Sequence, residues 1–356
     1  PTAANVESYA KIVLEKAVLR RLIYLAHDMS KEAYDDRQTV DDILDSAEQS
    51  IFTITQNRLK GGFKHIEPIL HESFEQLDAI SSKAGSVIGV PSGLIDLDAM
   101  TAGFHPGDLV IIAGRPAMGK TSLALSIARN AAVDHKESVG FFSLEMADHQ
   151  IAMRLLCAES KVDSHLVRTG NLPKSQWKNL SIHVGTLAEA PIYLDDSPAI
   201  TVLELRAKAR RLKAEHDVKM IVVDYLQLMQ GPKGVESRQQ EISIITRSLK
   251  SLAKDLKIPI VALSQLSRAV ESRSDRRPQL SDLRESGAIE QDADVVMFLY
   301  RQWIYSREDQ DRGKAQIIIS KQRNGPTGTV NVTFIDRFAR FENMSVYESE
   351  EAEVPF

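Results

Sequence analysis

The sequence predicts an α/β protein: a domain built on a central, mostly parallel β-sheet, preceded by an α-helical hairpin and a linker helix. Three observations carry that expectation. From about residue 86 onward, short apolar runs of strand length alternate with helical segments, as strand–helix–strand units do. A glycine-rich loop closes the first of those runs and opens a helix. Before residue 86 the apolar positions recur at helical spacing instead.

Composition agrees and narrows the class. A chain of 356 residues with 43% hydrophobic residues can bury a large core, and its length suits one large domain plus something smaller. The single Cys157 cannot form an intrachain disulfide, and no charged n-region followed by an apolar h-region opens the chain, which points to a cytoplasmic protein. Runs such as Leu109 to Ala113 fall far short of the ~20 apolar residues a membrane helix needs, so no membrane span is expected. The formal charge of −5 argues against a uniformly basic nucleic-acid binder; a phosphate-binding surface must be local, for instance on the inside of an assembly. The chain opens at Pro1-Thr2 without an initiator Met and within a helix-like pattern, which suggests a fragment or a processed product.

The first element, from about Asn5 to Met29, carries Val6, Tyr9, Ile12, Val13, Leu19, Leu22 and Ile23 at helical spacing. Thr39, with Asp42 three residues on, resembles a capping box opening a second helix to about Gln56, so residues 1–57 read as a hairpin. Gly61-Gly62 breaks the pattern. Pro68 then introduces a short helix with Ile66, Ile69, Leu70, Phe74, Leu77 and Ile80 on one side, within a linker spanning 58–85. Two uses of that stripe stay open: packing on its own domain, or docking on a neighbouring subunit.

After a Ser/Gly/Pro-containing stretch from Ser81 to Gly93 the α/β domain begins, and it is expected to span 86–345. Strands are predicted at Asp108–Ala113, Val139–Leu144, Ile192–Leu194, Met220–Asp224, Ile258–Ser264 and Val295–Tyr300, with helices at about Lys120–Ala132, Val202–His216 and Arg238–Lys257. The segment Gln316 to Phe341 reads as a closing hairpin that turns at Asn324-Gly325-Pro326. Residues 346–356, rich in Glu, form an acidic tail expected to be solvated and disordered.

The chemistry concentrates at strand ends. Gly114-Arg-Pro-Ala-Met-Gly119-Lys120-Thr121 satisfies GxxxxGK[ST], follows an apolar strand and opens a helix, so Gly114, Arg115, Ala117, Met118, Gly119, Lys120, Thr121 and Ser122 are the expected nucleotide-binding residues. In such a loop backbone N–H groups approach the phosphates and the helix dipole adds positive potential. Lys120 is expected on the β/γ-phosphates and the Thr121 hydroxyl on Mg²⁺, which makes ATP and Mg²⁺ the expected cofactors.

Asp224 ends the buried strand Met220-Ile-Val-Val-Asp224, where a second metal-shell carboxylate belongs. Tyr225 follows it, so the water-activating carboxylate must come from elsewhere, and Glu145, at the end of the strand after the glycine loop's helix, is the best candidate. A plain helix-entry carboxylate is the other reading of Glu145. Gln265 and Arg268 follow the strand Ile258–Ser264 at an edge where ligands of open sheets bind, and Gln265 could sense the γ-phosphate. Lys321 and Arg323 are two apart on an expected strand, so both project to one face; by themselves they read as a surface basic pair.

A further set of motifs accompanies these: Ser92-Gly-Leu-Ile-Asp-Leu-Asp98, Gly103-Phe-His-Pro-Gly107, Ser143-Leu-Glu-Met146, Val223-Asp-Tyr-Leu-Gln-Leu228, Leu263-Ser-Gln-Leu-Ser-Arg268, Asp282-Leu-Arg-Glu-Ser-Gly287 and Ser320-Lys-Gln-Arg-Asn-Gly325. Together with the glycine loop they resemble the DnaB family of replicative helicases, from the first helices to about Asn343. The globular head that precedes the hairpin in that family is not in this sequence, so primase and helicase-loader contacts made through it are not carried over.

The resemblance implies a RecA-like P-loop ATPase domain that assembles as a homohexameric ring around single-stranded DNA, with ATP at each subunit boundary and 5′→3′ movement. It implies Glu145 as the catalytic carboxylate, Gln265 as the γ-phosphate reader, and Lys321 with Arg323 as a trans-acting pair on the neighbour's nucleotide, Arg323 as the finger. It implies that Arg284, Glu285 and Gly287 lie along the DNA backbone, a sequence-blind contact suited to a motor. Arg273, Arg276 and Arg277 upstream read either as added positive potential or as a solvated loop. A recombinase-type filament ATPase and a nucleotide-dependent assembly protein indifferent to DNA share parts of the pattern.

Overall fold

The computed structural model describes residues 6–34, 87–231, 235, 237–273 and 275–344, together with 40, 43, 46, 47, 50, 51, 54, 65–71 and 74. Its contacts divide the chain into two units, Pro1–Ala84 and Gly85–Phe356.

In the first unit, helix α1 (Val6–Ala33) is a single rod that runs past the predicted end near Met29. Tyr9, Ile12, Val13, Leu19, Leu22 and Ile23 are exposed along it. The described residues of the predicted second helix, among them Val40, Ile43 and Ser50, are helical, as are 66–71 and Phe74 of the predicted linker helix. Ile66, Ile69, Leu70 and Phe74 are exposed. Thr39, Asp42, Gly61-Gly62, Leu77, Ile80 and the acidic tail 346–356 lie outside the described residues.

The second unit is built on one nine-stranded sheet in the order β3-β2-β4-β5-β1-β6-β7-β8-β9. Short helix α2 (Ile95–Thr101) precedes β1 (Leu109–Gly114), α3 (Lys120–Arg129) follows it, and β2 (Val139–Ser143) comes next. Then α4 (Asp148–Ser160), α5 (Ser164–Arg168) and α6 (Lys174–Ala188) lead to β3 (Ile192–Asp195), α7 (Val202–His216), β4 (Met220–Asp224), α8 (Arg238–Leu256) and β5 (Ile260–Gln265). Helix α9 (Gly287–Asp292) precedes β6 (Val295–Tyr300), and after α10 (Trp303–Ser306) the chain closes with β7 (Lys314–Gln322), β8 (Gly328–Ile335) and β9 (Arg340–Asn343). The first six strands in sheet order pair in parallel, and β6 to β9 pair antiparallel.

Every residue of β1 is buried, as a central strand with helices on both faces requires. Its side chains alternate between two cores: Val110 and Ile112 join Leu123, Ile127, Val222 and Leu263, while Leu109 and Ile111 join Leu205, Ile245, Leu249 and Ile260. Helix α3 thus packs on one face, and α7 and α8 on the other.

The predicted strands and the helices after β1, β3 and β4 are present with shifts of one or two residues at their ends. Pro259, which lacks an N–H, explains why β5 starts at Ile260; the strand runs on to Gln265. The predicted helix Lys120–Ala132 keeps α-geometry only to Arg129 and continues as a π-turn, Asn130–Asp134. The closing hairpin turns through Asn324-Gly325-Pro326 as expected, but β9 adds a third antiparallel strand on its far side. Helices α4 and α6 had no sequence assignment; in α6 the apolar positions Trp177, Leu180, Val184 and Leu187 recur at helical spacing, yet only Leu180 is buried.

Candidate active site

The glycine loop joins β1 to α3 at the C-terminal edge of the parallel strands, where open α/β sheets bind ligands. Gly119 caps α3 with φ 96° and ψ 28°, a left-handed conformation that favours glycine, and a Cβ there would meet the Phe341 ring at 3.3 Å. The Lys120 ammonium curls back to donate to Gly114 O at 3.0 Å and Arg115 O at 3.3 Å. Burial lowers its pKa, and the Asp224 and Glu145 carboxylates act against that shift.

Asp224 ends β4 inside this cleft and is 1% exposed. The Thr121 hydroxyl donates to its Oδ2 at 2.7 Å. Desolvation raises the Asp224 pKa to about 6; the Thr121 hydrogen bond opposes the rise and the charge of Glu145 adds to it. Two hard oxygen donors side by side fit a Mg²⁺ shell. The cleft is lined by Pro116, Ala117, Gly119, Lys120, Thr121 and Ser122, and from other strands by Glu145, Asp224 and Gln265. Glu145 is placed by the tight turn after β2, in which Ser143 Oγ donates to Met146 O at 2.6 Å and accepts from Met146 N at 3.2 Å.

Gln265 stands between two cavities. Besides the nucleotide cleft it borders a pocket shared with Gln227, Arg238, Ser267, Asp282 and Leu283. Gln227 braces it: its Oε1 accepts from Gln265 N at 3.2 Å and its Nε2 donates to Ser264 Oγ at 3.0 Å. The buried Asp282 carboxylate accepts from Arg273 Nη2 and Gln279 N, both at 2.7 Å, so Arg273 anchors the loop that precedes the predicted DNA contact. Arg276 lies over Tyr305 and Arg277 over Tyr300, with Arg277 also donating to Gln316 at 2.7 Å; these arginines are held by the fold. The backbone of Arg284 and Glu285 lies in the 3₁₀ segment Leu280–Ser286, and Gly287 opens α9; their side chains lie outside the described set.

Three predicted loop residues do not line the cleft. The carbonyl of Gly114 serves Lys120, Met118 is buried in the core, and the Arg115 guanidinium turns to Leu266 O at 2.7 Å and Glu271 Oε1 at 2.8 Å. Arg154 and Tyr225 line the cleft without having been singled out in the sequence. Arg154 was legible only through α4: the helix buries Ile151 and Leu155 and turns Arg154 to the open side.

Lys321 and Arg323 are elsewhere. Lys321 sits on β7 opposite Val296 of β6, beside the starting end of the parallel strands. Ile111 of β1 pairs with Val296, and Gly114 lies three residues further along β1, so Lys321 is roughly 10 Å down the strand direction from the glycine loop and two strands across.

Comparison with known proteins resolves what this arrangement belongs to. The profile described as "DnaB-like helicase C terminal domain" matches residues 89–343. The chain belongs to the DnaB-like helicase family. It is 48% identical to the replicative DNA helicase DnaB of Geobacillus stearothermophilus over 356 residues, 100% of this chain and 78% of the relative. The replicative DNA helicase DnaC of Bacillus subtilis (strain 168) is 48% identical over 345 residues, covering 97% of this chain and 76% of that one. A solved DnaB-like replicative helicase, described with its interactions with primase, superposes with TM-score 0.79 at 33% identity over 97% of this chain and 80% of that chain. A solved ATPase domain superposes with TM-score 0.76 at 38% identity over 80% of this chain and 100% of its own length. The fold is thus the RecA-like ATPase domain of the DnaB-like helicases, and the chain is a replicative helicase with a nucleotide-binding motor. Among the described residues no helix is long and apolar enough to cross a membrane.

Proposed function

We propose that this chain forms a homohexameric ring that hydrolyses ATP with Mg²⁺, translocates 5′→3′ on single-stranded DNA and unwinds duplex at the replication fork. The observation that carries the reading is the joining, in one cleft, of Lys120, the Thr121–Asp224 pair at 2.7 Å and Glu145.

In this reading Thr121 and Asp224 would hold the metal, which would supply charge neutralisation for the phosphates. The amides of Ala117 to Ser122 and the Lys120 ammonium receive the phosphates, and Lys120 gives up its carbonyl contacts to do so. Glu145 orients the attacking water and takes its proton. Gln265 reads the γ-phosphate and, through the pocket it shares with Asp282 and Leu283, passes that state toward Arg284, Glu285 and Gly287 on the DNA backbone. Lys321 and Arg323, remote from their own chain's glycine loop, act on the neighbour's nucleotide. The exposed stripe of Ile66, Ile69, Leu70 and Phe74 supports docking of the linker helix (58–85) on an adjacent subunit, with residues 1–57 as the hairpin before it. The site of action is the cytoplasm. Primase and a helicase loader are the further partners.

The test is unwinding of a forked duplex, with ATPase followed with and without single-stranded DNA. Unwinding that needs ATP and disappears in Glu145→Gln is expected. DNA-stimulated turnover with stoichiometric coating of DNA and no unwinding would overturn it in favour of a filament ATPase.

A further inference from the structure

At the strand ends opposite the glycine loop, the C-terminus of α9 is closed by Lys321 of β7 and by Arg323, which lies in the turn after β7 and not on the expected strand. The Lys321 ammonium donates to three carbonyls: Glu290 O at 2.5 Å, Ala293 O at 2.7 Å and Gln291 O at 3.2 Å. Arg323 Nη2 donates to Gln291 O at 2.9 Å, and Arg323 N donates to Asp294 O at 2.9 Å. The last carbonyls of a helix have no intrahelical donor and carry its negative dipole end, so a cation with several N–H groups is their best partner. Helix α9 is short and follows the segment Leu280–Ser286 without a break, and at its other end it leads within two residues into β6. Such a helix gains little stability from its own ladder, and what fixes its end fixes the segment before it.

The two cations are not equivalent. All three donors of the Lys321 ammonium are engaged on α9. Arg323 offers five donors, gives one side-chain hydrogen bond to α9, approaches Asp294 at 3.6 Å, and keeps its side chain 46% exposed. An anion arriving at this edge can take free donors from Arg323, but it can take Lys321 only by stripping α9 of carbonyl contacts.

We infer that Lys321 is a positioning residue that locks α9 and the adjoining Asp282–Gly287 loop, and that a neighbour's nucleotide phosphate drawing Lys321 away releases that lock. Occupancy of one subunit's cleft thereby reaches the DNA loop of the next. This rests on the trans reading of Lys321 and Arg323 given above. It adds a second route to the cis path through Gln265: each loop answers to its own nucleotide at one end and to its neighbour's at the other.

Hydrogen–deuterium exchange of the full chain, assembled and without DNA, tests it. In nucleotide-free wild type the amides of 287–294 exchange slowly. ADP with aluminium fluoride is expected to speed them at least about tenfold, the scale of a single charged hydrogen bond, since three leave with Lys321. Lys321→Met exchanges fast without nucleotide and no longer responds to it; Lys321→Arg keeps a slow, nucleotide-sensitive segment. Binding of a fluorescent oligothymidylate, nucleotide-dependent in wild type, becomes nucleotide-independent in Lys321→Met. A segment that stays slow in nucleotide-bound wild type overturns the inference, and needs no variant to be observed. So does unchanged nucleotide-free exchange in Lys321→Met. Failure of the trans reading has a different signature: full ATPase turnover in assembled Arg323→Ala.

Discussion

The two edges of the sheet are built on opposite principles. At the C-terminal edge of β1 and β4, one chain brings together a lysine, a hydroxyl and two carboxylates around an open cleft, and their polar atoms are partly held by one another. At the other edge, Lys321 is spent on carbonyls at the end of its own α9, while Arg323 gives one side-chain hydrogen bond there and stays 46% exposed, and neither lines the nucleotide cleft. The first edge gathers the phosphate- and metal-binding groups that one chain supplies. The second, in the proposed ring, acts when another subunit supplies a nucleotide. In the proposed ring the nucleotide lies at a subunit boundary, and the contacts of Lys321 with α9 tie that boundary to the loop that follows Asp282.

The largest expected effect breaks the comparison if it fails. Arg323→Ala in assembled rings is expected to lower turnover by roughly 10³-fold or more while each cleft still binds nucleotide, as loss of a trans arginine does. Steady-state ATPase and fluorescent-nucleotide binding separate the two quantities, and unchanged turnover would leave Arg323 as a helix cap alone. Glu145→Gln acts at the other edge. It removes the proposed general base and is expected to lower turnover by about 10²–10⁴-fold with nucleotide affinity kept, read in single-turnover assays.

A smaller effect concerns Asp224 in nucleotide-free protein. Its pKa rises from 3.8 to about 6 through burial, so the folded state binds its proton more tightly than the unfolded chain. The contribution to stability is full below pH 3.8 and is lost as pH rises through about 6. Asp224→Asn should therefore stabilise the nucleotide-free protein at pH 8 by on the order of 2–3 kcal/mol and leave it unchanged near pH 3.5. Thermal or urea unfolding across that range checks it; a gain that persists at acid pH would show that the charge is not its source. Gly119→Ala is the smallest: a Cβ at φ 96° near the Phe341 ring should cost about 1–2 kcal/mol and weaken nucleotide binding, by unfolding and titration respectively. An unaltered midpoint would mean that the loop relaxes around the methyl group.

Much of the first edge was legible because its residues are consecutive. Gly114 to Ser122 form one motif whose spacing is fixed by a strand, a turn and a helix start, and Glu145 and Asp224 end strands recognisable by their apolar runs. Less could be read where a side chain's direction decides its role. Arg115 belongs to the motif, yet its guanidinium crosses to Leu266 and Glu271. Arg154 sits on a helix with only four buried residues, and its place in the cleft follows from how α4 packs.

What the sequence by itself determined is therefore what short-range physics enforces: the alternation of strand and helix, the phosphate loop, the carboxylates at strand ends and the turn at Asn324-Gly325-Pro326. Only the tertiary structure decided the strand order, the third antiparallel strand β9, the pocket linking Gln265 to Asp282, and the seat of Lys321 on α9. Those depend on contacts between residues far apart in the chain, such as Lys321 with Glu290 and Asp282 with Arg273, whose partners are chosen by the packing of the sheet rather than by the neighbouring sequence.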